Sequence, residues 1–219
     1  MIAPGLPGAR RPSAGSATLS EFARSMRTRI VVLIAAVLLT LSVVPTTFAA
    51  SGPPTFQLPW KDGTTWRLTG GPHSNVGYGK PWSSLDFAGP IAGKSYPVVA
   101  AAAGIVVRPC ANWVQIKHIN GWETSYYHLV GIAVRAGQYV KQGQLLGYTS
   151  AQAGCGGSAT GPHVHFSIKH NGYYVGIGGF VFGGWTVHYG SSQYFGCMTR
   201  GRVSRCAPGG QLYNYGAVG

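Results

Sequence analysis

Carboxylates are almost missing from this sequence. Among its 219 residues only Glu21, Asp62, Asp86 and Glu123 are acidic. That scarcity excludes much chemistry. Glycoside hydrolysis usually takes two carboxylates flanking one bond, and Glu123, beside a hairpin turn, reads as exposed. A HExxH zinc peptidase needs a glutamate base on a helix, and no such string occurs. There is no GxSxG elbow, no Walker A loop and no GxGxxG between a strand and a helix. Composition alone leaves a Ser-His-Asp triad open. No CxxC pair is present, which argues against a cysteine metal site. The second half shows no long amphipathic helix and the chain no internal repeat. Thirty-four glycines and twelve tyrosines favour strands and turns instead.

One apolar run stands out. Arg27 and Arg29 precede Ile30 to Val44, and Pro45 with the small residues near Thr47-Phe48-Ala49 resembles a secretory cleavage site. The run is short for a membrane span and contains Thr40 and Ser42. We therefore expect residues 1–49 to be a leader carrying a secretory signal peptide, with Met26 as an alternative start. Residues 50–219 form the exported domain, with no stable membrane association after cleavage. Cleavage near Ala49 leaves little before Trp60, so no long propeptide is expected. The whole chain carries 17 basic and four acidic residues. Without the five arginines and Glu21 of the leader, twelve and three remain, a net charge of +9. Such a charge suits an anionic extracellular partner: bacterial cell wall, acidic polysaccharide or nucleic acid. All four cysteines fall in the exported part, which reads as two disulfides. Of three connectivities we favour Cys197–Cys206 and Cys110–Cys155, with loop-closure terms of about 3 and 4 kcal/mol.

Patterning predicts a single, mainly β, antiparallel domain. Strands are expected within Trp60 to Thr69, over Ser83 to Ala88, and over Val98 to Arg108 with a bend at Gly104. Trp113 to His118 and Glu123 to Leu129 flank the hairpin signal Asn120-Gly121. Two glycine-bounded turns lie in Gly137 to Gly147, before a strand through Tyr148. His163 to Lys169 pairs with Tyr173 to Val175 across Asn171-Gly172. Gly70 to Pro81, with His73 near its start, and Ala151 to Gly161 read as loops.

What remains for chemistry is imidazole: His73, His118, His128, His163, His165, His170 and His188. Singly, each relevant residue has an ordinary reading: His73 solvated, Asp86 capping a turn, His128 bonded within a sheet. His163-Val164-His165 is stronger. On a strand both rings point to one face. His73, Asp86 and His165 as ligands would give two nitrogens and one oxygen, a set that suits Zn²⁺ and leaves a place for water. Water bound there loses a proton near neutral pH. His128 and His163 are then the available bases, and imidazolium can stabilise an oxyanion. His118 reads as structural, and His170 and His188 as surface residues.

These residues carry a resemblance. Gly70-Gly71-Pro72-His73, Ser83-Ser84-Leu85-Asp86-Phe87, Tyr127-His128-Leu129, Thr160-Gly161-Pro162-His163-Val164-His165-Phe166 and the glycine-punctuated stretch Val134 to Gly147 occur in order. Over about residues 60–190 the sequence resembles the lysostaphin-type zinc endopeptidases of peptidoglycan. It is most similar to their secreted β-lytic (staphylolytic) branch, in which the first histidine and the aspartate are far apart, as His73 and Asp86 are here. The final cysteine pair also fits that branch. The resemblance implies that 50–219 is a zinc metallopeptidase domain in which His73, Asp86 and His165 hold one zinc and His128 and His163 are catalytic. It implies hydrolysis of peptidoglycan stem or cross-bridge peptides, often at glycine, by a secreted enzyme. It also implies a groove walled by loops, for which Gly70–Pro81, Ala151–Gly161 and Gly176–Ser192 are candidates, with Tyr78, Trp113, Tyr148 and Trp185 lining it. Peptidoglycan is the expected partner, with anionic wall polymers beside it, and no nucleic acid; the chain is expected to be a monomer. The competing class is a non-catalytic wall-binding or activator module on the same fold.

Overall fold

A computed structural model describes residues 52–75 and 79–218. The leader 1–49 with Met26, and Tyr78, lie outside the described residues. Sixteen strands follow in order: β1 (Thr65–Ser74), β2 (Trp82–Ala88), β3 (Pro97–Val99), β4 (Gly104–Cys110), β5 (Trp113–Lys117), β6 (Trp122–Tyr127), β7 (Leu129–Val130) and β8 (Tyr139–Val140). They continue as β9 (Leu145–Thr149), β10 (Val164–His170), β11 (Tyr173–Tyr174), β12 (Val181–Phe182), β13 (Trp185–Tyr189), β14 (Gly196–Arg200), β15 (Val203–Ala207) and β16 (Gly210–Tyr213). The only helical element among the described residues is a 3₁₀ turn, Ile119–Gly121. The architecture is therefore mainly β and antiparallel, as its composition predicts.

The principal sheet has nine strands in the order β16-β1-β2-β10-β6-β5-β4-β8, with β11 paired to β10. A small sheet β3-β9-β7 and a four-stranded sheet β12-β13-β14-β15 accompany it. β10 sits centrally because it buries Val164, Phe166 and Ile168 on one face. Period-2 alternation sends His165 to the other face. Beneath it Phe166 meets Tyr126, Phe87 and Phe182, and Trp60 stacks on Trp66 at 5.1 Å. The turn residues Asn120, Gly121, Asn171 and Gly172 all take positive φ, the backbone that a tight hairpin demands.

Three expectations change. The first strand starts at Thr65 and runs through Gly70-Gly71-Pro72 to Ser74, so His73 stands on a strand and not in a loop. Register shifts between Leu68, Gly70, His73 and Ser74 accommodate the two glycines and the proline. The Val98–Arg108 segment divides into β3 and β4, which enter different sheets. Glu123 is buried, because β6 lies between β5 and β10; its carboxylate is 3.6 Å from Lys169 Nζ.

Cys110 is joined to Cys155 and Cys197 to Cys206. The second pair bridges directly opposed residues of β14 and β15. The first fastens the Ala151–Gly161 segment, which is more firmly tied than a flexible loop. Tyr127 Oη accepts from the Cys155 amide and donates to Gly156 O, and Asn112 Oδ1 accepts from the Gly154 amide.

Candidate functional site

Three adjacent strands bring distant residues together. Asp86 on β2 lies opposite His165 on β10 and opposite Gly70 on β1, while His73 comes from the far end of β1. A Cβ added at Gly70 would stand 2.6 Å from Asp86 Oδ2. The carboxylate therefore occupies space that only glycine leaves open. His128 follows β6 with φ 64°, a left-handed backbone that is costly for a bulky residue and turns its ring toward the site.

His73 Nε2 lies 3.1 Å from His165 Nδ1, and His165 Nδ1 lies 3.0 Å from Asp86 Oδ1. His73 Nε2 and Asp86 Oδ1 are 3.5 Å apart. Ligands at zinc distances in tetrahedral geometry stand about 3.4 Å from one another. Two imidazole nitrogens and one carboxylate oxygen at these separations are a donor set that would fit a Zn²⁺ ion. His73, Asp86 and His165 are the cluster of this kind among the described residues.

Each imidazole is oriented by a bond on its outer side. His73 Nδ1–H donates to Gly71 O at 2.7 Å, leaving Nε2 to face inward. His165 Nε2–H donates to Asn75 Oδ1 at 3.1 Å, leaving Nδ1. His163 Nδ1–H donates to Gly161 O and His128 Nδ1–H to Gln152 O, so both keep a free Nε2. His163 Nε2 is 3.6 Å from Asp86 Oδ1, and the His128 and His163 rings are 4.7 Å apart. Such outer partners fix tautomer and direction. Burial pushes the Asp86 carboxyl up, but the His165 hydrogen bond and the charges of His73, His165 and His163 outweigh it and hold it at about 2. Burial drives His73 below its usual range, with Asp86 opposing, and takes His128 down to about 4.

These groups line a cleft of about 650 Å³. One wall is the segment Ser158 to Pro162, from the predicted loop. Two further contributions carry no motif in the sequence. Ala92 and Gly93 come from the β2–β3 connection. Tyr194, also at positive φ (69°), stacks on the His73 ring at 4.2 Å. Its carbonyl accepts from the Gly71 amide and its amide donates to Pro72 O, fastening it to β1. The aromatic-rich tail was the one available signal for such a residue. Trp113, Tyr148 and Trp185 do not line this cleft. Trp113 donates to Ser125 Oγ and packs on Tyr127, Tyr148 lies on β9, and Trp185 is buried in the C-terminal sheet. Of the histidines read as structural or surface, His118 is bonded to Ala103 O and Thr124 Oγ1, His170 stacks on Trp122, and His188 pairs with Thr199 Oγ1.

Comparison with known proteins follows the same residues. The model of peptidase family M23 matches residues 80–176, a span that holds Asp86, His128, His163 and His165 but begins after His73. Protease LasA of Pseudomonas aeruginosa is 43% identical over 155 residues, 67% of this chain; the chain spans 37% of that relative's length. The β-lytic metalloendopeptidase of Lysobacter enzymogenes is 34% identical over 168 residues, covering 73% of this chain and 92% of the relative. The solved structure of pseudoalterin, an M23 metalloprotease from the deep sea, superposes with a TM-score of 0.69 at 34% identity, over 74% of this chain and 99% of that one. Identity to a β-lytic relative over nearly its whole length and the fold shared with pseudoalterin agree: the chain belongs to peptidase family M23, close to its β-lytic branch.

Proposed function

We propose that this protein is a secreted zinc metalloendopeptidase that hydrolyses peptide bonds in bacterial peptidoglycan stems or cross-bridges, at glycine. One observation carries the reading: His73, His165 and the Asp86 carboxylate bring donor atoms within 3.5 Å of one another, with His163 Nε2 3.6 Å from Asp86 and the His128 ring 4.7 Å from His163, all lining one open cleft. His73 Nε2, Asp86 Oδ1 and His165 Nδ1 would hold one zinc per chain. When bound, zinc supplies a Lewis acid for the scissile carbonyl and eases proton loss from the attacking water.

The chain's own residues do the rest. His128 and His163 keep Nδ1 engaged with backbone carbonyls, so each offers Nε2 to the cleft as a proton acceptor. One takes the proton of the attacking water and the pair returns a proton to the leaving amine. In its protonated form the same imidazole stabilises charge on the tetrahedral oxygen. Asn75, held by Ser167 and His165, keeps the β10 ligand turned inward. Tyr194 covers His73 and crowds that side of the cleft, which favours glycine at the cut bond. The resemblance to the β-lytic branch supports peptidoglycan as substrate and export as destination, with residues 50–219 as the working domain.

The test is to assay bound zinc and to identify by mass spectrometry the peptides released from purified cell walls, with and without a chelator. We expect stoichiometric zinc, chelator-sensitive release and cuts beside glycine. Chelator-insensitive release would overturn the mechanism. Wall binding with no peptide released would instead favour a non-catalytic module.

A further inference from the structure

A second pocket lies away from the histidines. It has a volume of about 340 Å³ and is built on the C-terminal strands, chiefly by Arg200, Arg205, Tyr213, Tyr215 and Trp185. Its frame is well packed. Arg200 lies 3.9 Å over the Tyr215 ring, Tyr213 meets Tyr215 edge-on at 4.7 Å, and the buried Trp185 indole donates to Tyr213 O. Yet Tyr213 and Tyr215 stay 41% and 44% exposed. Rigid aromatic faces with a hydroxyl at the rim suit a ring that is apolar on its faces and polar at its edge.

The charge is equally unspent. Among the described residues the one Lys or Arg within 4.0 Å of a carboxylate is Lys169, on Glu123. Arg200 and Arg205 therefore make no ion pair within 4.0 Å among the described residues; Arg205 donates to Ser204 O. Guanidinium groups are the side chains best shaped to take a planar carboxylate or a phosphate oxygen pair.

The position of this pocket gives it a role. Thr65 lines it, while Arg67 and Thr69 line the catalytic cleft. All three lie on the outward face of β1, alternating with buried Trp66 and Leu68. Tyr213 pairs with Thr65 and Gln211 with Arg67, so β16 widens the same face. A step of two residues along the strand, Thr65 to Arg67, separates the margins of the two pockets, about 7 Å. His73 lies about 25 Å along the strand from Thr65.

We infer that the Arg200–Arg205–Tyr213–Tyr215 pocket binds an anionic unit of cell-wall glycan, and that a polymer anchored there runs along the outer face of β1 into the cleft. The ligand chemistry is a saccharide chain bearing carboxylates or phosphodiesters. Its identity as wall glycan rests on the proposed function.

The experiment measures affinity of the purified protein for a soluble polysaccharide with phosphodiester-linked sugars, a soluble polyuronate and single-stranded DNA. It uses Arg200→Gln/Arg205→Gln, the exposed single Arg205→Gln, and a control pair, Arg135→Gln/Lys141→Gln, flanking β8 at the opposite edge of the large sheet. We expect the pocket double to lose about tenfold in affinity for one polymer and the control about twofold or less. Arg205→Gln, free of any stacking partner, should fall in between. The polymer affected distinguishes phosphodiester from carboxylate as the source. Hydrolysis of a short glycine-containing peptide should not change, while KM on intact walls rises. Equal losses in pocket and control variants, binding to neither polymer, or equal retention on DNA would overturn the inference. Wall hydrolysis without polymer binding defeats this inference alone; polymer binding without hydrolysis defeats the proposed function alone.

Discussion

His73 and His118 are nearly the same residue by local criteria. Both sit among strands, both donate Nδ1–H to a backbone carbonyl two to three ångströms away, and burial lowers both below the usual histidine range. They differ in what the other nitrogen meets. His118 Nε2 ends 2.8 Å from Thr124 Oγ1, which lies equally close to Tyr126 Oη, a closed buried network. His73 Nε2 opens onto a point shared with His165 and Asp86. Burial and a depressed pKa therefore do not mark a site in this fold. Convergence of unengaged donor atoms does.

The comparison can be broken most sharply within the cleft. His165→Ala is expected to lose bound metal and all detectable wall hydrolysis, read by elemental analysis and peptide release. His163→Ala should keep its metal and lose about 10²–10⁴ in turnover. Full activity in His163→Ala would mean that its free Nε2 does no proton transfer. Gly70→Ala comes next. It pushes a methyl group against Asp86, and a displaced ligand should lower metal affinity about 10–100-fold, as loss of an outer-shell partner does. A metal titration checks this.

The smallest effect belongs to His118. His118→Ala should leave turnover intact and cost about 1–3 kcal/mol of stability, since Thr124 and the Ala103 carbonyl lose a buried partner. Denaturant unfolding measures it. The pH dependence follows from the direction of the shift. Burial holds the folded-state pKa of His118 below its ordinary 6.5, so the unfolded chain binds the extra proton first. The stabilisation is present above pH 6.5 and is lost as pH falls below it. His118→Ala should accordingly flatten the acid side of the stability profile, and an unchanged slope would contradict the assignment.

Much of the site was legible because period-2 geometry is local. His163-Val164-His165 announced two rings on one face from three letters of sequence. Asp86 and His128 came forward through the shortage of acids and their place in strand patterns. What sequence could not deliver is register. Gly70-Gly71-Pro72 reads as a chain breaker, yet β1 continues through it because slipped pairing with β2 absorbs the irregularity. Glu123 looked exposed beside its turn, but the strands on both sides and the Lys169 ammonium enclose it. Tyr194 was invisible for another reason. Its position depends on backbone bonds to residues more than a hundred positions away, and a left-handed tyrosine leaves no signature in composition.

Those bonds between Tyr194 and β1 bear on how far the protein can be trimmed. The family-matched span, 80–176, looks like a minimal unit, but here it is open at both ends. One histidine of the candidate metal cluster precedes it on β1, and the tyrosine that stacks on that histidine follows it. Each is anchored to the other and neither to the span alone. A fragment cut to the matched borders would keep most of the chemical groups and lose the clasp that closes around them, so β1 and the C-terminal sheet belong in any shortened version meant to work.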